Sequence, residues 1–103
     1  MNEVINKLEN ELGIPFYYIS REEGQVPIIT YNYKKELNMS DMKKESASYD
    51  FYFILIINEK INATVEKFEE VLINNLFRNV EVNQSATTKD GYVQISITAS
   101  KNI

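Results

Sequence analysis

Cysteine, histidine and tryptophan are all missing from this chain of 103 residues. Without the first two it has no ligands for a typical zinc or haem site, no thiol redox centre, and no Cys or Ser/His nucleophilic pair. Glycine is almost as scarce. The three glycines never approach one another, so neither a Gly-x-Gly-x-x-Gly nor a Gly-x-x-x-x-Gly-Lys-Ser/Thr phosphate cradle is present. Long apolar runs are absent too: the longest, Phe51 to Ile57, is strand length and far short of the roughly 18 residues of a membrane span. The opening Met-Asn-Glu-Val-Ile-Asn-Lys lacks the basic-then-apolar order of a signal peptide, so cytoplasmic synthesis without a membrane partner is expected. Positive charge is the last deficit. Eleven Lys plus Arg stand against 15 Asp plus Glu, a net charge of −4, which disfavours nucleic-acid binding through phosphate neutralisation.

Hydrophobic residues, in contrast, make up 44% of the chain, enough for the core of one domain without disulfides or a structural metal. Val4, Ile5, Leu8 and Leu12 recur at helical spacing, and Gly13 followed by Pro15 ends that segment. Phe16 to Ile19 and Val26 to Tyr33 read as strands, with the polar Arg21 to Gln25 between them as a hairpin loop and Pro27 at a strand start or on an edge. Tyr49 to Ile57 is the strongest strand: Phe51, Phe53, Leu55 and Ile57 share one face, Tyr52, Ile54 and Ile56 the other.

After Asn58-Glu59-Lys60 the period changes to 3.6. Val65, Phe68, Leu72 and Leu76 form a helical stripe with Ile73 beside it, Asn62 or Thr64 as N-cap and Glu66 in the first turn. Val80 to Ser85 and the alternating Val93, Ile95, Ile97 and Ala99 then read as a hairpin turning at Asp90-Gly91. The order α-β-β-β-α-β-β implies a single α+β domain over residues 1–103, with a mainly antiparallel sheet of about four to five strands and two helices packed on one face. Residues 35–48, rich in Lys, Glu, Ser and Met, are expected to be a charged loop or insertion. Two helices cover one face only, so the two-sided apolar strand and the surplus aromatics call for a second cover, such as another subunit.

Candidate chemistry is sparse. Glu22-Glu23 and Glu69-Glu70 sit in polar surroundings and read as a solvated loop and helix face. Asp41, Glu45 and Asp50 lack the spacing and central glycine of a calcium loop. Lys34-Lys35 and Lys43-Lys44 near Tyr31 and Tyr33 form a small basic-aromatic patch for single strands, which Glu36, Asp41 and Glu45 largely cancel. No catalytic residue, cofactor or metal is expected.

The order of elements resembles a known family. A short helix ending at Leu12-Gly13-Ile14-Pro15-Phe16-Tyr17-Tyr18, a polar gap, Val26-Pro27-Ile28-Ile29-Thr30-Tyr31, a long charged insertion, the strand at Tyr49 to Phe53, a helix of the type Val65 to Leu72 and a terminal hairpin look like the small tail terminator and tail-to-head joining proteins of long-tailed bacteriophages and prophages. The resemblance spans nearly the whole chain, its best motif being Pro-hydrophobic-hydrophobic-x-Tyr at Pro27 to Tyr31. It implies a non-enzymatic protein of the virion tail or neck: a six-membered ring that caps the tail tube, stops its polymerisation and offers a docking surface to the head connector. The implied partners are the chain itself, the tail tube protein and the connector. The implied contacts use sheet edges and residues 34–48. Tyr31, Tyr33, Lys34, Lys35, Met39, Met42, Tyr52, Ile54 and Ile56 are the candidate interface residues. The alternative is a small acidic cytoplasmic binding module of the immunity or adaptor type, gripping one partner through its acidic residues and tyrosines.

Overall fold

The computed structural model describes residues 2–19, 26–40, 43–87 and 91–102, the side chains of residues 38–40, 43–46 and 84–87 excepted. Its elements are α1 (Asn2–Leu12), β1 (Phe16–Tyr18), β2 (Ile28–Ser40), β3 (Lys43–Ile57), α2 (Ile61–Asn74), β4 (Arg78–Thr87) and β5 (Val93–Asn102), in the expected order.

The first helix forms where the periodicity places it. Ile5, Leu8 and Leu12 are buried along one stripe, and Gly13 takes φ +77° at the end while its N–H donates to the Glu9 carbonyl at 2.8 Å. A Cβ at Gly13 would meet nothing, so glycine is favoured there by the left-handed backbone and not by space. Glu9 then fixes the next strand, since its Oε2 accepts the Phe16 N–H at 2.8 Å.

The five strands form one sheet in the order β1-β2-β3-β5-β4. Strand β1 pairs with β2 in parallel, Phe16 opposite Ile29 and Tyr18 opposite Tyr31, so the hairpin expected between them is not formed and the sheet is mixed. The other neighbours are antiparallel. Pro27 directly precedes β2, where its missing N–H costs no ladder bond.

Residues 35–40 and 43–48 are strand, not the expected loop. They continue β2 and β3 with Lys35 opposite Tyr49, Leu37 opposite Ala47 and a register shift between Asn38 and Met39. Local antiparallel pairing supplies the backbone hydrogen bonds there. Strand β5 pairs with β3 only as far as Ser48, and β1 with β2 only at Ile29 to Tyr31. Beyond Glu36 and Ser48 the two strands therefore pair, among the described residues, only with each other, as a two-stranded arm that adds about 13 Å at roughly 3.3 Å per residue. The molecule is accordingly elongated, 52 × 24 × 23 Å with a radius of gyration of 14.7 Å, against about 13 Å for a compact domain of this length.

Both helices pack on one face. Phe51, Phe53, Leu55 and Ile57 of β3, Ile95, Ile97 and Ala99 of β5, Phe16 and Ile29 meet the helix stripes in a single core. Phe53 lies at its centre, with ring centroids 5.2 Å from Phe68, 5.6 Å from Phe51 and 6.1 Å from Phe16.

Helix α2 departs from expectation at both ends. It starts at Ile61, preceded by Lys60 in the left-handed region without a side-chain cap bond, so Asn62 and Thr64 lie inside the helix and Glu66 is not in its first turn. At the other end Leu76 adopts φ +66°. Its N–H donates to the Ile73 carbonyl and that of Phe77 to the Leu72 carbonyl, both at 3.0 Å. This pair of bonds is a Schellman stop, in which the following residue packs back on the last turn. Phe77 and Leu72 are both buried, whereas Leu76 is 80% exposed; it continues the helical spacing in the sequence but not the helix.

Candidate interaction surfaces

Three surfaces follow from this arrangement. The first is a ladder of tyrosines on the helix-bearing side, at the root of the arm. Residues opposite one another in antiparallel strands share a face, and Tyr31 opposite Phe53, Tyr33 opposite Phe51 and Lys35 opposite Tyr49 place all these side chains on that side. The ring of Tyr18 lies 5.4 Å from Tyr31 and 5.8 Å from Tyr33, which in turn is 5.7 Å from Tyr49. The Lys35 ammonium sits 5.7 Å from the Tyr49 ring centroid. Burial, with smaller contributions from Tyr33, Tyr18 and Glu9, raises the Tyr31 phenol above its ordinary pKa of 10.0. Past Tyr31 no described strand pairs with this edge of β2, and the ladder leads into the arm.

The second surface is the helix-free face. Tyr52 (47% exposed) lies between Asn32 and Thr98, and Ile54 (39% exposed) between Thr30 and Ser96. Lys34 emerges on this side as well, 3.6 Å from Glu36. Ile56 is only 3% exposed and sits opposite the equally buried Ile28, so it belongs to the fold and not to an open interface. Among the described residues the exposed apolar patch on this face is thus Tyr52 and Ile54, with the half-buried Tyr17 beyond Thr30, set among polar and charged side chains and smaller than the alternation alone suggests.

The proposed interface residues do not converge. Tyr31, Tyr33 and Lys35 lie on one side of the sheet; Lys34, Tyr52 and Ile54 lie on the other. Because Lys34 and Lys35 project to opposite faces, the basic-aromatic patch read from the sequence is divided. Met39 belongs to β2 by its backbone; its side chain, all of Met42, and the carboxylate pair Glu22-Glu23 lie outside the described residues.

The third surface was not foreseen. A cleft of about 460 Å³ opens between the start of α2 and β4, lined by Ile61, Val65, Val82 and Ile95 with Asn62, Asn83, Glu66 and Glu69 around them. Val82 faces the helix side opposite Ile97 but remains 41% exposed, because α2 does not extend over this corner of the sheet. The signal for it lies in Val82 itself, the apolar residue between Glu81 and Asn83, which the helix stripe alone does not match.

Polar contacts elsewhere hold the fold. The Asn75 amide, buried at the end of α2, donates to the Val71 carbonyl at 2.7 Å and to the Glu11 carboxylate of α1. The Asn75 carbonyl accepts a hydrogen bond from the Lys101 ammonium, which lies 5.3 Å from the Phe77 ring centroid. Burial and the nearby Lys7 lower the Lys101 pKa. Ser100 donates to Asp50 at 2.7 Å. Among the described residues no three acidic, histidine or cysteine side chains cluster to hold a metal, and no helix is long and apolar enough to cross a membrane. No protein-family model matches the chain, and no curated protein matches its sequence.

Proposed function

We propose that this protein is a structural component of virion assembly, of the tail terminator or tail-to-head joining kind. It acts by self-association into a ring that caps a phage tail tube and receives the head connector. The observation that carries the reading is the projecting arm of β2 and β3. A two-stranded ribbon without a third strand or a packed face is marginal in water, and its 13-residue and 15-residue strands exceed what the core beneath them requires. Such an extension gains its stability by lying against another subunit. Two further features support assembly. Among the described strands none pairs with the β2 edge past Tyr31, a backbone template of the kind that joins chains, and an acidic balance lets DNA pass without adhering. The element order, which resembles that of tail terminators, supplies the particular assembly.

In this reading the protein resides in the virion neck, its partners are other copies of itself, the tail tube protein and the connector, and it carries out no catalysis. The test is addition of the purified protein to tail tubes assembled in vitro. Electron microscopy is expected to show rings at one end of each tube and arrested elongation. Tubes that grow at the same rate with bare ends would overturn the proposal.

A further inference from the structure

We propose that the arm of one copy seats in the cleft between α2 and β4 of the next, through Leu37 of the arm and Lys35 at its root and Glu66, Glu69 and Val82 of the cleft. This rests on the self-assembly reading and sharpens it, since it names the two surfaces that meet.

The chemistry of the two is complementary. On the helix-bearing side, the root and the described part of the arm present a cation and an apolar side chain: Lys35 opposite Tyr49 and, two residues on, Leu37 opposite Ala47. Leu37 is 51% exposed and so open to a partner surface. The cleft is lined by the apolar Ile61, Val65, Val82 and Ile95 and by the carboxylates of Glu66 and Glu69, with no basic side chain among the described lining residues. Glu66 and Glu69 are three positions apart on α2 and so share a helix face. An apolar side chain seated in that cleft places a lysine two residues away beside these carboxylates.

The geometry makes the contact intermolecular. Leu37 is level with Ala47 of β3, and Val82, through Ile97, is level with Phe53. The two therefore lie about 20 Å apart along the strands and three strand spacings, about 14 Å, apart across the sheet. They occupy opposite ends and opposite edges of one molecule, so an arm cannot reach its own cleft. A contact between two different patches on identical copies propagates head to tail, closing into a ring when the rotation permits and otherwise extending as a filament.

The absence of native cysteine gives a clean test. Leu37→Cys and Val82→Cys replace exposed side chains, and within one chain the pair is far beyond disulfide reach. Mixing the two single variants under mild oxidation is expected to give a cross-linked dimer containing one of each, and the double variant a ladder of covalent oligomers. As a second measurement, Glu66→Lys with Glu69→Lys is expected to weaken self-association about tenfold, with Lys35→Glu in the same chain restoring part of it. The inference is overturned if oligomers form but the mixed variants do not cross-link, which leaves ring assembly standing through other surfaces. It is equally overturned if Leu37→Cys alone cross-links as well as the mixture, which indicates arm-to-arm pairing, or if the cleft cross-links only to other proteins. A strict monomer at high concentration overturns both this contact and the assembly reading.

Discussion

Replacing Leu76 by glycine is expected to stabilise the protein, although leucine is the better helix former and continues the apolar stripe. Leu76 holds φ +66° at the Schellman stop of α2, a conformation that costs a residue with a Cβ roughly 1–2 kcal/mol. Its side chain is 80% exposed, so removing it forfeits little buried area. Against the relief stands the greater freedom of glycine in the unfolded chain, about 0.4–1 kcal/mol. The difference favours Leu76→Gly by about 0.5–1 kcal/mol, which for a domain of this size raises Tm by about 2–8 °C. Leu76→Ala separates the causes, because it removes the same side chain but keeps the Cβ; it should shift stability by less than about 0.5 kcal/mol. Urea titrations followed by circular dichroism, with thermal scans alongside, measure both variants. A destabilised glycine variant, or an alanine variant that gains as much, would refute the backbone argument.

Four other outcomes are expected. Phe53→Ala, which empties the centre of the aromatic core, should cost about 3–5 kcal/mol and leave a chain that melts near or below growth temperature by calorimetry. Asn75→Ala removes a buried amide that joins α2 to Glu11 and should cost about 1–3 kcal/mol in urea unfolding, more than any single exposed polar residue on α2. Ile19, a β-branched residue at φ +67° and 64% exposed, should gain up to about 1 kcal/mol on replacement by asparagine; a loss would show that its side chain is held elsewhere. Because folding raises the Tyr31 pKa above 10.0, chiefly by burial, the folded chain keeps a proton that the unfolded chain releases. The stability this contributes is complete below pH 10 and is lost as pH rises through the folded value. Absorbance at 295 nm should show a late-ionising tyrosine that disappears in Tyr31→Phe; an unchanged alkaline limb would contradict the assignment.

The elements that could be read from the sequence are those whose burial leaves a period. Ile5, Leu8 and Leu12, the Phe51-Phe53-Leu55-Ile57 face, and Ile95 and Ile97 all line the one core, and their spacing marks helix or strand without further help. What escaped has no such mark. Strand direction is one case: Phe16-Tyr17-Tyr18 has the composition of any strand, and its parallel pairing with Ile29 to Tyr31 is decided by the path of the connection. The arm is another, for residues 37–40 and 43–47 pair only with each other among the described strands. Polar residues can then fill a strand without alternation, and the segment looks like a loop. Leu76 departs in the opposite way, as an apolar residue at the right spacing but two positions beyond the end of the helix at Asn74. Of the candidate interface, the tyrosines and Lys35 were reached through composition, whereas Leu37, Val82 and the α2–β4 cleft depend on where α2 ends its cover of the sheet, which no local pattern encodes.

We propose that this chain works as an assembled ring. Mass photometry or sedimentation velocity over a rising concentration series, with and without tail tubes, measures this most directly. A closed species is expected to grow at the expense of the 12.0 kDa monomer, at about 72 kDa for a six-membered ring. A single 12.0 kDa species at every concentration, unchanged by tail tubes, would contradict it.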